Sequence, residues 1–138
     1  MHTSGINLKT DLQPDLPRIR ANRDQIKQVL LNLVHNAIQA MPRGGTLSLQ
    51  TQSLRRDDIP GVVMRARDTG QGIPPENIER LFEPFFTTRP PGQGTGLGLS
   101  VSYGIITNHG GVIEVESSLG NGSQFSIWLP LESNKAVI

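Results

Sequence analysis

Three groups of residues in this 138-residue chain have the types and spacing to do chemistry. The first is a glycine loop, Gly92-Gln93-Gly94-Thr95-Gly96-Leu97-Gly98-Leu99-Ser100, which runs into a helical pattern. Glycines let backbone amides approach an anion, and a helix N-terminus adds partial positive charge. The segment therefore reads as a phosphate cradle or as a plain flexible linker. It is no Walker motif, because no Gly-Lys-Ser/Thr follows, and no dinucleotide fingerprint, because no strand precedes it within a βαβ unit. The second group is Asp68, which ends an apolar run and precedes Thr69-Gly70-Gln71-Gly72. Its carboxylate can accept from a ligand amine at the floor of a cleft, or can cap its own turn by bonding the backbone two residues on. The third is the pair Asn32 and Asn36, four residues apart and so on one face of a helix. Their amide oxygens suit a hard cation such as Mg²⁺, which takes one or two protein oxygens beside phosphates and water. The alternative is a satisfied polar pair beside a loop.

The elements that must position these groups follow from periodicity. Residues 6 to 12 alternate apolar and polar as an edge strand, and Pro14 and Pro17 punctuate a turn. Asn22 followed by Gln25 is a capping box, and Ile26, Val29, Leu30, Leu33, Ala37, Ile38 and Met41 recur at helical spacing, so the pattern predicts a helix over about 23 to 41. Strands over 46–53 and 62–67 form an antiparallel hairpin across the charged turn Arg55-Arg56-Asp57-Asp58. A short helix carries Ile78, Leu81 and Phe82 on one side. The segment from about Glu83 to Gly98 shows no period and reads as a long loop of the functional-lid kind. A helix resumes over 97–109, stopped by Gly110-Gly111. Runs 112–116 and 124–131 close the domain as a hairpin around Gly120-Asn121-Gly122.

Composition sets the outer bounds. One domain's worth of chain, 36% hydrophobic, is enough for a single core. Thirteen Lys and Arg against twelve Asp and Glu leave a net charge of +1, which gives no basic face for nucleic acid. With no cysteine, disulfides, thiolate metal sites and a cysteine nucleophile are excluded. The opening residues lack the regions of a signal peptide, and a cytoplasmic location is expected.

In order and spacing these groups resemble the catalytic and ATP-binding domain of sensor histidine kinases, within the superfamily that also holds gyrase, heat-shock chaperone and mismatch-repair ATPases. Gln28-Val29-Leu30-Leu31-Asn32-Leu33-Val34-His35-Asn36-Ala37 is similar to the family's N box and Asp68-Thr69-Gly70-Gln71-Gly72-Ile73 to its first glycine box. Leu81-Phe82-Glu83-Pro84-Phe85-Phe86-Thr87-Thr88 is similar to its F box, and Gly94-Thr95-Gly96-Leu97-Gly98-Leu99-Ser100 to its second glycine box. The match covers residues 6 to 131, and its wording is most similar to the nitrogen-regulator-like subgroup.

The resemblance implies an α/β fold: a two-layer sandwich of Bergerat type, its mixed, mostly antiparallel sheet covered on one face by three helices. ATP and Mg²⁺ are the implied cofactors. Asp68 would accept from the adenine amino group, Gly72 would let the base approach beside Gly70 and Ile73, Asn36 would ligate Mg²⁺, and Asn32 would line the phosphate end as the second catalytic amide. Thr87, Thr88, Arg89, Gly94, Thr95, Gly96, Leu97, Gly98 and Leu99 would complete the ATP site, and Phe82, Phe85 and Phe86 would anchor the lid. Many relatives carry lysine where this chain has Gln39 and Arg89.

The implied partners are the family's dimerising histidine-phosphoacceptor domain, which with the sensor region would lie outside these 138 residues, and a response-regulator receiver domain. The isolated domain is expected to be monomeric and, without a phosphoacceptor, inactive. His2, His35 and His109 precede Thr3, Asn36 and Gly110, whereas the family's acceptor histidine precedes an acidic residue. His35 is expected at the surface or beside a polar neighbour, and His109 as a C-terminal helix cation or a neutral surface residue. Two other readings stand beside the kinase: a conformational ATPase, disfavoured because those relatives place a glutamate base where Asn32 stands and an amide takes no proton, and a nucleotide-binding regulatory module.

Overall fold

A computed structural model of the chain describes residues 5–83 and 98–132. Its elements run β1 (Ile6–Leu12), α1 (Arg23–Ala40), β2 (Gly45–Ser53), β3 (Gly61–Asp68), α2 (Pro75–Ile78), α3 (Gly98–Asn108), β4 (Val112–Ser117) and β5 (Ser123–Pro130). The five strands form one sheet in the order β1-β2-β3-β5-β4. β1 lies parallel to β2, with α1 as the crossover that a parallel pair requires, and every other pairing is antiparallel. This is the two-layer, mixed-sheet α/β architecture that the sequence implies.

Period-two alternation sends Val62, Phe125, Ile127 and Leu129 to one face of the sheet, where they meet Val29 and Leu33 of α1 and Ile106 of α3. A second cluster joins Ala37 and Met41 to Leu47 and Ala66. Burying each larger aliphatic side chain is worth about 1.5–3 kcal/mol, so these two clusters fix α1 along the sheet. The opposite face is mixed: the cross-strand pair Val63 and Trp128 is buried there, and Arg65 Nη1 donates to Gln50 Oε1 (3.2 Å) and Gln52 Oε1 (3.0 Å). Among the described residues no helix is long and apolar enough to cross a membrane.

Three local expectations change. α2 ends at Ile78, so Leu81 and Phe82 sit on the tight turns that follow, with Arg80 N–H donating to Asn77 O (3.0 Å) and Glu83 N–H to Arg80 O (3.0 Å). Both still pack on the main core. At the start of α1, Asn22 Oδ1 accepts from Gln25 N–H (3.0 Å) as predicted, but the reciprocal half of a capping box is replaced. The Asn22 amide donates instead to His109 Nε2 (3.1 Å).

His109 is therefore no surface cation. It is 3% exposed, and its Nδ1 lies 2.8 Å from Ile105 O. With Nε2 accepting, Nδ1 carries the proton and the ring is neutral in this arrangement. One imidazole thus ties the first turn of α1 to the last turn of α3. His109→Ala should cost about 1–3 kcal/mol of folding stability, because a part-buried Asn22 N–H loses its acceptor. Urea denaturation of the two proteins checks this, and an unchanged midpoint with an unchanged slope refutes it.

Candidate nucleotide-binding site

Asp68 is the last residue of β3, paired across the ladder with Leu47 on one side and Ser123 on the other. It is 2% exposed. Its Oδ1 accepts from Gly70 N–H (2.9 Å), and the Ser123 backbone amide, paired with Asp68 across the ladder, lies close enough to favour the charged carboxylate. No cation faces it among the described residues. Burial pushes its pKa above the ordinary value of 3.8, and the two amides, which favour the charged form, pull the other way. The turn-cap reading of Asp68 is thus correct, and the functional reading survives with it. Both amides leave acceptor capacity on a buried carboxylate that holds up to about four lone-pair sites.

The turn after Asp68 is clamped from three sides. Thr69 Oγ1 accepts from Thr46 N–H (3.0 Å), Gln71 N–H donates to Ala40 O at the end of α1 (3.2 Å), and Gly120 N–H donates to Gln71 O (2.8 Å). Ile73 N–H donates to Ser117 Oγ (2.8 Å), and that hydroxyl lies 2.9 Å from Gly122 O and 2.8 Å from Ser123 Oγ. Two glycines are dictated by this closeness. A Cβ on Gly72 would strike Ser118 O, at a φ of +77° that favours glycine, and one on Gly70 would strike Ala40 O.

Asn32 and Asn36 lie on one flank of α1, which reaches from the Asp68 turn to α3. At Ala40 it meets the Asp68 turn. At Asn32 it meets α3, where Nδ2 donates to Gly98 O (3.1 Å) and Ser102 Oγ (3.1 Å) while Oδ1 accepts from Gln28 Nε2 (2.8 Å). The two contact points stand eight residues apart, about 12 Å along the helix, with the half-buried Asn36 midway. Asn32 thus acts as a clamp on the start of α3, with both ends of its amide engaged. Leu99 and Ile73 pack on the main core, and Phe82 stacks on Tyr103 with centroids 5.4 Å apart. His35 is exposed, as expected. Phe85, Phe86, Thr87, Thr88, Arg89, Gly94, Thr95, Gly96 and Leu97 lie outside the described residues, as does the loop expected over Glu83 to Gly98 beyond its two ends.

Among the described residues no cluster of three or more His, Asp or Glu could hold a metal ion. The donor set along the α1 flank is neutral amide oxygen. That fits a hard cation whose remaining ligands come from phosphates and water, with Asn36 as the protein donor.

Sequence reading missed Ser102, Ser117 and Ser123, which hold Asn32, the glycine turn and Asp68. A single serine carries no local signal. Ser123 becomes visible only once β3 and β5 are known to be neighbours.

Two-layer sandwich, glycine-clamped acidic turn and amide-bearing helix flank together define a domain of the Bergerat nucleotide-binding class. The chain belongs to the histidine kinase-, DNA gyrase B- and HSP90-like ATPase family, whose model matches residues 21–133. It is 46% identical over 136 residues to the sensor kinase CckA of Brucella abortus, covering 91% of this chain and 14% of that protein. It is 44% identical over 126 residues to the sensor histidine kinase ZraS of Salmonella typhimurium, covering 91% and 26%. Among solved structures it is similar to the catalytic domain of histidine kinase ThkA (TM-score 0.80, 36% identity, 95% of this chain and 82% of that one). ThkA has also been solved in complex with response regulator protein TrrA, with a TM-score of 0.75, 33% identity and 95% and 36% coverage.

The raised pKa of Asp68 sets a pH dependence. A carboxyl that holds its proton more tightly folded than unfolded makes the protein lose stability as pH rises from 3.8 through the folded value, with no further change above it. Asp68→Asn removes that component, so the stability of the variant relative to wild type should climb across this interval and then level off. Urea titrations at a series of pH values read it directly; a pH-independent difference would place no net burial penalty on Asp68.

Proposed function

We propose that the chain binds Mg-ATP in the groove between α1, the Asp68 turn and the start of α3. As the catalytic domain of a two-component sensor histidine kinase, it would transfer the γ-phosphoryl group to a histidine on a separate phosphoacceptor domain. In that transfer the bond between the γ-phosphorus and the β–γ bridging oxygen breaks, a phosphorus–nitrogen bond forms, and ADP leaves. The phosphohistidine would then donate to a response-regulator receiver domain. The relatives' names and the ThkA–TrrA complex support this reading, and ATP as substrate fits a cytoplasmic setting. The single observation that carries it is the buried Asp68 carboxylate, unpaired with any cation among the described residues, oriented by Gly70 and left with acceptor capacity for an amine.

The chain's own residues would bind and align. Asp68 would accept from the adenine amino group, and Gly70 and Gly72, with no room for a Cβ against Ala40 O and Ser118 O, would keep the turn that carries it closely packed. Asn36 would offer an oxygen to the cation, which supplies charge neutralisation along the phosphates when bound. Asn32 would hold Gly98 and Ser102, so that the α3 terminus faces the phosphate end. Asn32, as an amide, takes no proton from water, which favours transfer over hydrolysis.

Calorimetry should show Mg²⁺-dependent binding of ATP and ADP. Asp68→Asn should weaken it about 10- to 150-fold, equivalent to about 1.5–3 kcal/mol for a hydrogen bond to a charged group. With Oδ1 still held by Gly70, the substituted amide would turn its NH₂ towards the ligand's own donor. Unaltered affinity removes Asp68 from the site. Incubated with labelled ATP and Mg²⁺, the chain should stay unlabelled by itself and should label an added dimeric phosphoacceptor domain with acid-labile, alkali-stable phosphate. The same label on the chain by itself would overturn the assignment.

A further inference from the structure

The free edge of the sheet carries features that nucleotide binding does not use. β1 stands first in the strand order, and no described element lies beyond it. Ile6 packs with the second core cluster, so alternation places Leu8, Thr10 and Leu12 on the same helix-covered face. Leu8 and Leu12 are nevertheless 62% and 57% exposed. On α1, Val34 packs on the same cluster as Ile6, and Leu31, one turn earlier on that flank, is 55% exposed. The three leucines form an apolar shelf along the edge.

The backbone is equally open. Gln13 N–H donates to Thr51 O (3.3 Å), which turns the amides of the odd-numbered residues towards β2. A parallel ladder uses alternate residues, so Leu8, Thr10 and Leu12 direct N–H and C=O outwards. The strand reads Leu8-Lys9-Thr10-Asp11-Leu12, and it is complementary to itself about Thr10. An antiparallel second copy would set Leu8 opposite Leu12, Lys9 opposite Asp11, and Thr10 opposite Thr10. The leucine and threonine pairs would fall at hydrogen-bonded positions, and the Lys9–Asp11 pairs at the closer, non-bonded positions. Lys9 and Asp11 are exposed and form no ion pair within the chain among the described residues.

We propose that β1 is a self-association edge, through which two copies of this chain pair antiparallel about Thr10 and join their sheets into one. Charge selects the register: centring on Lys9 or on Asp11 instead would oppose like charges, which is unfavourable in a directly facing pair. The pairing is isologous, so it consumes the edge on both copies and stops at a dimer. The leucine shelf of each copy then meets that of the other, and the monomer expected for the isolated domain becomes the dilute limit.

Sedimentation from micromolar to millimolar concentration should show the mass rising towards twice 15.0 kDa. Lys9→Asp or Asp11→Lys alone should weaken the dimer about tenfold or more, and the two together should restore it. Both positions are exposed and lie two strands from β3, on the face away from α1, so ATP binding reports that each variant is folded. The chain has no native cysteine, and Thr10→Cys should oxidise to an intermolecular disulfide while Lys9→Cys does not. A chain that stays monomeric at millimolar concentration overturns the proposal. So does a dimer indifferent to the single charge reversals, or one that crosslinks equally well through either cysteine.

Discussion

A carboxylate removed from water needs N–H groups turned towards it; no cation pairs with Asp68 among the described residues, and its position depends on two amides from different parts of the chain. Gly70 supplies one only if the chain turns sharply after β3. Ser123 supplies the other only if β5 begins opposite β3 in the observed register. The first condition brings Gly70 against Ala40 O and Gly72 against Ser118 O, where a side chain would collide with backbone. The second brings the β4–β5 turn close enough for Ser117 to accept from Ile73. One buried carboxyl thus fixes the end of the central strand, a helix end and a hairpin turn relative to one another.

α1 distributes that constraint across the molecule. Its C-terminal carbonyl at Ala40 receives Gln71, its middle buries Val29, Leu33 and Ala37, and Asn32 reaches across to Gly98 and Ser102. Its first turn is tied through Asn22 to His109. The pair α1–α3 is therefore joined by polar bonds at both ends of α3 and by apolar packing between them. A displacement at the start of α3, where the glycine loop leads in, must act on Asn32 and so on the helix that also carries Asn36.

Much of this was legible because the signals are local. The period of α1, its Asn22 cap, the two hairpins and the edge character of β1 each depend on residues within one element or one turn. Asp68 stood out because an acid at the end of an apolar strand before two glycines is a local pattern. What stayed hidden was set by partners far along the chain. The acceptor for Asn22 is 87 residues away, and the partners of Asn32 are 66 and 70 residues away. His109 reads as a C-terminal helix cation or a neutral surface residue, because a helix C-terminus favours the one and exposure the other; tertiary contact buried it and gave it a donor to accept from instead. The length of α2 escaped for a different reason: Leu81 and Phe82 keep their burial whether a helix or a series of tight turns carries them, so the apolar pattern does not discriminate.

The engagement of Asn32 bears on why an amide stands where related ATPases are expected to carry a base. A carboxylate at this position would accept from Gln28 but could not donate to Gly98 O, and it would present charge to a carbonyl 3.1 Å away. Only a side chain with both an acceptor and two donors satisfies Gln28, Gly98 and Ser102 together. The residue that withholds a base from water is thus the residue that the α1–α3 junction requires. Chemistry and architecture select the same amide, and a glutamate here would disturb the start of α3 before it could take a proton.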